Sequence, residues 1–347
     1  MSEKYWSKHI AIDKDRVDLS YGAGGRHTMQ LIDELFIEAF DNEYLREKND
    51  NAQFPFHGRL VVSTDAHVVS PLFFPGGDIG KLAVSGTIND ISVAGAKPVA
   101  LTASFILEEG FPLSDLKKIV YSMAETARKC GVSIVAGDTK VVEKGKGDGV
   151  FITTTGIGII QQENIQVRPF RARPGDQILI NGTIGDHGIA IMSKRENLSF
   201  QTDLESDVAP LHELIQQLIS AVPDIHCMRD PTRGGVASAL NEWALSSQVG
   251  MVIDEALIPI RPEVESACEF LGLDPLNVAN EGKVLIICEK KHAESLLKIM
   301  RLHPLGQEAS CIGEVIEDPH HFIRMKTRIG GTRMVHWPSG EELPRIC

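Results

Sequence analysis

Apolar positions along the chain fall into alternating runs of helical and extended periodicity. Met29, Ile32, Phe36 and Phe40 recur at three- and four-residue steps, which predicts a helix just after the glycine cluster Gly22-Ala23-Gly24-Gly25. Residues 41–58 are polar and irregular and read as a loop. Residues 60–69, rich in β-branched side chains, predict a strand interrupted by Asp65, and 71–77 a rigid apolar turn. Residues 80–96 predict a helix of small residues carrying Asn89 and Asp90, followed by a strand over 99–108. Leu116, Ile119, Val120, Met123, Ala127 and Cys130 trace the buried face of the next helix. Residues 132–142 predict a strand broken at 137–140, and 150–160 another.

A proline-bounded stretch, 169–174, reads as a linker. Beyond it a strand over 177–184 runs into Gly185-Asp186-His187-Gly188, a turn that opens a short helix, and 196–208 reads as a polar loop. Helices are expected over 211–222, 236–246, 263–270 and 292–300, and strands over 251–253, 284–288 and 311–315. The pattern is that of an α+β protein with an N-terminal sheet domain over 1–168, a C-terminal domain over 169–335 and a mobile tail over 336–347. No internal repeat is strong enough to claim duplication.

At 347 residues the chain is long enough for two domains, with 43% hydrophobic and 24% charged residues. A formal net charge of −12 argues against an electrostatic grip on nucleic acid. There is no apolar run long enough for a membrane span and no signal-peptide core near Met1, so a cytoplasmic protein is expected. The six cysteines lack metal-ligand spacing. Five lie in apolar or helical contexts and read as buried, reduced thiols. Cys347, the last residue, does not. It follows His336-Trp337-Pro338-Ser339-Gly340-Glu341-Glu342-Leu343-Pro344, which reads as a semi-extended, solvent-facing arm. Ten residue steps reach about 30 Å when extended. The thiol is either a handle that carries a covalent group between sites or an accidental free cysteine.

The sequence has no Walker A loop, dinucleotide fingerprint, nucleophile elbow or His-Glu-x-x-His motif. What remains is a set of acids beside small residues: Asp65, Asp90 and Asp138. One alone reads as a cap or salt bridge. Three in one half favour a Mg²⁺–phosphate site, because a buried acid needs a partner and Mg²⁺ takes carboxylates together with phosphate oxygens. Gly24 and Gly25, opening a helix, are either a cradle for an anion or a plain glycine turn. Arg229-Asp230-Pro231-Thr232-Arg233-Gly234-Gly235 offers guanidiniums to a phosphate or is an ordinary helix cap. Asn280-Glu281-Gly282-Lys283 is a turn or a site.

Taken in order, Tyr21–Gly25, Ser63-Thr64-Asp65, Phe73-Phe74-Pro75-Gly76-Gly77, Asn89-Asp90, Gly137-Asp138-Thr139-Lys140, Gly185-Asp186-His187-Gly188, Asp230–Gly235 and Asn280–Lys283 resemble the aminoimidazole ribonucleotide synthetase-like ATP-binding superfamily. The terminal Pro344-Arg345-Ile346-Cys347 is similar to that of the [NiFe]-hydrogenase maturation factors within it. The likeness runs from about residue 18 to the end. It departs in reading Gly-Ala-Gly-Gly where Gly-Ser-Gly-Gly is common, and Asp230-Pro231 where Asp-Ala is expected.

The resemblance implies a homodimer formed through N-terminal sheets, with ATP and Mg²⁺ as cofactors. It implies that the carbamoyltransferase HypF loads a carbamoyl group onto Cys347 and that ATP-dependent dehydration turns it into a thiocyanate. The cyanide then passes to iron on a HypC–HypD complex. On this reading Asp65, Asp90 and Asp138 hold Mg²⁺, and with Gly24 and Gly25 they position the nucleotide. Glu281 takes a proton from the amide nitrogen and Lys140 stabilises charge on the oxygen or relays the proton, while the tail alternates between docked and exposed positions. The alternatives are a sister enzyme of the same superfamily or a carrier of the carbamoyl group that does no chemistry. Among the sisters, selenophosphate synthetase places its reactive residue near the N-terminus, where this chain has no cysteine before Cys130.

Overall fold

The computed structural model describes residues 9–48, 51–196, 204–338 and 345–347. Residues 1–8, part of the polar loop read over 196–208, and tail residues 339–344 lie outside the described residues. The first domain is a four-stranded sheet with helices packed on one face. Its strands are β1 (Arg59–His67), β2 (Lys97–Glu108), β3 (Ser133–Val142) and β4 (Val150–Ile160), in the order β1-β4-β2-β3. Only β2 and β3 run parallel. Helices α1 (Ile79–Val93) and α2 (Leu113–Lys129) cover the sheet. A further helical run over 26–40, with a π-wound middle at Ile32–Ile37, buries Leu31, Leu35, Phe36 and Ala39 in the same core.

Helix α1 begins where the Asp78 carboxylate accepts the N–H groups of Gly80 and Lys81 at 2.7 and 3.1 Å. Nearly all of its residues are buried, which explains why the sequence shows small residues rather than an amphipathic stripe. Gly156 and Gly158 on β4 let the helix lie close, since a Cβ at Gly158 would come within 2.3 Å of Ile91.

The second domain holds a seven-stranded sheet. Its strands are β5 (Gln177–Ile180), β6 (Cys227–Arg229), β7 (Gly250–Asp254), β8 (Leu285–Cys288), β9 (Ser310–Ile316), β10 (Ile323–Lys326) and β11 (Thr332–Met334), ordered β11-β10-β7-β9-β5-β8-β6. Its helices are α3 (Asp186–Arg195), α4 (His212–Ala221), α5 (Gly235–Ser247), α6 (Pro262–Leu271) and α7 (Lys290–Leu302). Trp243 and Leu240 of α5 fill one side of the sheet. On the other side, α4 and α7 share a core with Ile91 and Ile160 of the first domain. The two domains thus share buried apolar surface across the boundary drawn at residue 168.

Several expectations change. Neither Asp65 nor the 137–140 stretch interrupts its strand. Asp65 pairs with Thr154 inside β1, and β3 runs unbroken beside β2. Gly137 is there for close approach, because a Cβ would sit 2.4 Å from the Ala103 carbonyl oxygen. The 41–58 stretch contains a short helix, Glu43–Arg46, capped by Asn42. The apolar turn over 71–77 includes a small hairpin, Phe73–Phe74 against Gly77–Asp78. The end of the chain is folded in: Ile346 is only 3% exposed and Cys347 is half-buried against the first domain's core. Among the described residues, no helix is long and apolar enough to cross a membrane.

Asn89 fastens the two domains. Its amide donates to the carbonyl oxygens of Ala209 and Glu281 at 3.1 and 3.3 Å and accepts from Leu211 N–H at 2.7 Å. Asn89→Ala leaves these buried groups without partners and is expected to cost roughly 2–4 kcal/mol. Urea unfolding checks this; an unchanged midpoint would remove Asn89 as the fastening.

Candidate active site

The site forms where α1 lies across β1. Residues 63, 65 and 67 point to the helix face, because side chains alternate along a strand. Gly86 and Asp90 are one helical turn apart and face them. The Ser63 hydroxyl donates to Asp90 Oδ2 at 2.7 Å. Gly86 leaves the gap beside Asp65, since a Cβ there would lie 3.3 Å from His67 Cε1, 3.6 Å from Asp65 Oδ2 and 4.0 Å from Glu281 Oε2. His67 Nε2 lies 3.7 Å from Asp65 Oδ2 and 3.3 Å from Thr154 Oγ1. Burial lowers its pKa, so the ring is neutral at pH 7.

The second domain closes the site with two loops. Residues 280–283 are held by Asp207, whose Oδ1 accepts Glu281 N–H at 3.0 Å. Its Oδ2 accepts Gly282 N–H at 3.1 Å and Lys283 Nζ at 2.9 Å. Burial pushes the Asp207 carboxyl up, but Lys283 and the backbone donor outweigh it and keep the group below its ordinary pKa. Asn280 ties this loop to the next by donating to the Pro231 carbonyl at 3.0 Å while accepting Gly185 N–H at 2.8 Å. Arg229 ends β6, and Asp230 and Arg233 enter on the loop between β6 and α5.

Four acids with electrostatic reach of one another therefore converge: Asp65, Asp90, Asp230 and Glu281. Burial, then Asp90, pushes Asp230 up to about 7. Burial raises Asp90, and it raises Glu281 well above the ordinary carboxyl range, with Asp230, Asp207, Asp65 and Asp90 adding to the effect. Glu281 Oε1 is buried and has no hydrogen-bond partner among the described residues. The concentrated negative charge and the orphaned Glu281 carboxylate oxygen would draw a hard cation such as Mg²⁺, but these acids do not form a closed ligand set: among the described residues only Asp224, His226 and Glu289 bring three ligand atoms within 4.8 Å of one another.

Cys347 completes the cluster. Its thiol donates toward the Glu281 carboxylate and its pKa is raised, first by burial and then by Glu281, against the opposing pull of Arg233. The chain end is held by Val68 N–H on the Cys347 carbonyl at 3.2 Å and Ser70 N–H on the Arg345 carbonyl at 3.1 Å. Arg195 Nη2 donates to the same Arg345 carbonyl at 2.7 Å, and Arg345 pairs with Asp148. His187 is fully buried, and burial keeps its ring neutral. Its Nε2–H donates to the Ile346 carbonyl at 2.9 Å, so Nδ1 accepts from the Ser206 hydroxyl at 2.7 Å. Ser206 Oγ in turn accepts Val208 N–H at 3.1 Å, consistent with that direction.

Of the residues singled out from sequence, the fold brings Asp65, Asp90, Glu281 and Cys347 together within one chain. It does not bring in Asp138, Lys140, Gly24 or Gly25. Asp138 opposes Ser104, which opposes Thr153, whereas Asp65 opposes Thr154, one residue along β4. Adjacent residues on a strand point to opposite faces, so Asp138 and Lys140 lie on the sheet's open face, away from α1. They are also three strands from β1, about 14 Å at ordinary strand spacing. The Lys140 ammonium lies 2.7 Å from Asp138, and this pairing lowers the Asp138 pKa. Both line a cavity of about 650 Å³ with Gly22, Gly24 and Thr28. There Thr28 Oγ1 accepts Gly24 N–H at 3.0 Å and fixes the glycine turn. A single-chain metal site built from Asp65, Asp90 and Asp138 is thus ruled out by register. Asp230, His67, Asp207 and the His187 clamp also adjoin this site, though the sequence does not single any of them out for it. Asp230 and His187 sat inside motifs already noted; His67 and Asp207 carried no local signal.

The Asp230 shift sets a pH dependence. Its folded pKa, about 7, stands above the ordinary carboxyl value near 4. Its protonated form favours the fold at low pH, and that contribution is lost as pH rises from about 4 through about 7. Asp230→Asn is expected to make the nucleotide- and metal-free chain more stable than the parent above pH 7, by up to a few kcal/mol, with little difference near pH 4. Thermal melts at pH 4.5 and 8 check the sign; a variant less stable than its parent at pH 8 contradicts the cluster's strain.

Two family models match the chain: AIR synthase related protein, N-terminal domain, over residues 48–160, and AIR synthase related protein, C-terminal domain, over 173–326. Carbamoyl dehydratase HypE of Cupriavidus necator is 61% identical over 344 residues, covering 99% of this chain and 98% of that protein. A crystal structure of hydrogenase maturation protein HypE in complex with ATP superposes with a TM-score of 0.92 at 47% identity, covering 95% of this chain and 99% of the other. A HypE chain from a HypE–HypF complex gives 0.79 at 54% identity, covering 89% and 99%. With the docked terminal cysteine and the acid cluster around it, these likenesses mean that the chain belongs to the HypE family of carbamoyl dehydratases, within the AIR synthase-related proteins.

Proposed function

We propose that this chain uses ATP to dehydrate a carbamoyl group carried on Cys347 to a thiocyanate. The observation that carries the reading is the placement of Cys347 Sγ against the buried Glu281 carboxyl inside the acid cluster. An amide oxygen is a poor leaving group. Transfer of the terminal phosphoryl group of ATP to the carbamoyl oxygen releases ADP and makes phosphate the leaving group. Loss of the two N–H protons and cleavage of the C–O bond leave C≡N on sulfur. The carbamoyl thioester and ATP thus become thiocyanate, ADP and phosphate.

Each residue has a task in this chemistry. Glu281, with its raised proton affinity, takes a proton from the carbamoyl nitrogen. Asp65, Asp90 and Asp230 would hold Mg²⁺, which supplies charge stabilisation for phosphoryl transfer when bound. Arg233 balances negative charge beside the adduct. The His187 clamp on Ile346 positions the arm.

The open face of the first sheet supports a homodimer. Leu60, Val62 and Ile106 are 53%, 58% and 42% exposed on it, an apolar patch that pairing would cover. Asp138, Lys140 and the Gly24–Gly25 turn lie on or beside that face, and we assign them to the nucleotide and to charge on the carbamoyl oxygen across this interface. A carbamoyltransferase of the HypF type supplies the carbamoyl group, and an iron site on a HypC–HypD complex takes the cyanide. All six cysteines are free, which fits chemistry in the reducing cytoplasm.

Intact-mass spectrometry after incubation with HypF-type enzyme, carbamoyl phosphate and ATP tests the reading. The parent is expected to gain a carbamoyl mass and then lose one water. Cys347→Ala gains nothing. Glu281→Gln is carbamoylated but loses water about 10²–10⁴-fold more slowly. Water loss at the parent rate in Glu281→Gln overturns the base assignment, and carbamoylation without water loss in the parent reduces the chain to a carrier.

A further inference from the structure

A second cluster lies on the edge of the second domain's sheet, away from the cysteine. His226 immediately precedes the edge strand β6, and Glu289 follows its neighbour β8. The antiparallel pairing of Cys227 with Ile287 brings the two ends together. His226 N–H donates to the Ile287 carbonyl at 3.0 Å, which fixes the backbone there. Asp224, two residues earlier, turns its carboxylate to the same place. One ligand atom from each of Asp224, His226 and Glu289 lies within 4.8 Å of the others.

Acids near a histidine are common on surfaces, so the histidine decides the matter. The His226 side chain is fully buried. Its Nδ1–H donates to Asp176 Oδ2 at 2.8 Å, and Asp176 is itself 4% exposed and anchored by Arg173 N–H at 2.8 Å. That bond occupies Nδ1 and orients the ring, so Nε2 is the nitrogen left to take a ligand. Nε2 is buried and has no hydrogen-bond partner among the described residues. A carboxylate behind one ring nitrogen and a second, unused nitrogen on a buried imidazole that stands beside two further carboxylates is how a metal-binding histidine is held.

Basic groups also stand around the cluster. Arg171 Nη2 takes Asp224 Oδ1 at 2.7 Å, and Lys291 Nζ takes Glu289 Oε2 at 2.6 Å. Arg173 lies near Asp224 and His292 near Glu289. Each ion pair engages one oxygen and leaves the second available. None of these cations bonds to Nε2.

We propose that Asp224, His226 and Glu289 bind a divalent transition-metal ion of the Zn²⁺ class. One imidazole and two carboxylates, with water completing the shell, suit such an ion, whereas the nitrogen ligand disfavours Mg²⁺ and Ca²⁺. Tetrahedral ligand atoms stand about 3.4 Å apart, so the two carboxylates, which are more exposed than the histidine, rotate inward while the imidazole stays fixed. The ion clamps the free edge of β6 to the start of α7. The same strand delivers Arg229 and Asp230 to the cysteine site, so the clamp also steadies that loop.

The test uses the full-length chain, stripped with chelator and dialysed against Zn²⁺ alone, with bound metal counted by mass spectrometry. The Asp224→Asn/Glu289→Gln double variant is expected to hold about one Zn²⁺ fewer per chain than the parent. Asp65→Asn/Asp90→Asn is expected to keep that ion. Co²⁺ substitution gives an independent readout, with visible d–d absorption expected in the parent and lost in the first double variant. Equal Zn²⁺ stoichiometry in the parent and Asp224→Asn/Glu289→Gln, or loss of the ion only in Asp65→Asn/Asp90→Asn, overturns the proposal.

Discussion

Four carboxyl groups share a small space, two of them, Asp230 and Glu281, buried from water, and the surrounding structure is arranged to hold them there. Asp230 rises to about 7 because burial and Asp90 both oppose its ionisation. Glu281 is driven up by burial and by four neighbouring acids. Left alone, such groups would move apart or draw in water. They stay because each is tied through its backbone. Asp207 and its Lys283 partner grip the 280–283 loop, Asn280 links that loop to Pro231, and Asn89 joins both domains to it. That strain is what would favour a bound cation and a substrate bearing N–H protons.

The docked thiol follows from the same constraint. Beside Glu281 and out of water, Cys347 has a raised pKa and is a poor nucleophile. That suits a sulfur that has already received its carbamoyl group, and it works against loading the group at that position. On the proposed reading, loading would belong to an exposed tail and dehydration to the docked one. The clamps on the tail are compatible with exchange: they are hydrogen bonds to main-chain carbonyls, one ion pair and a single buried isoleucine. His187 recognises the Ile346 carbonyl, so docking does not depend on what the sulfur carries.

The long periodic segments are legible in the sequence, and so are the motifs that the fold brings together around Cys347. The apolar runs of β1, α1, β2, α2 and β4 are where periodicity placed them. Asp65, Asp90, Glu281 and Cys347 all stand out in the sequence, and the fold brings them together. What failed was inference from local composition to local shape. Gly137 looked like a strand break, but it admits a neighbouring strand at close range. A terminal cysteine looked solvent-facing, but Ile346 beside it has an apolar socket. The strands β6, β10 and β11 are three or four residues long, too short to show a period. Asp138 looked equivalent to Asp65 because both follow an apolar run. Whether two such acids share a face depends on strand order and register, which no local pattern encodes.

That register has a consequence for the proposed assembly. A single chain contains a thiol, a base and an acid cluster on one face of its sheet. The glycine turn, Asp138 and Lys140 lie on or beside the other. The second group would be surface decoration in a monomer, since the Asp138–Lys140 pair is exposed and such pairs add little stability. They lie instead on the face that carries Leu60, Val62 and Ile106, where apolar side chains in water favour pairing with a like surface. Pairing would bury the exposed ion pair and strengthen its field. It would also turn the cavity beside the glycine turn into a space between protomers. The split between the two groups therefore makes sense if the functional unit is two chains.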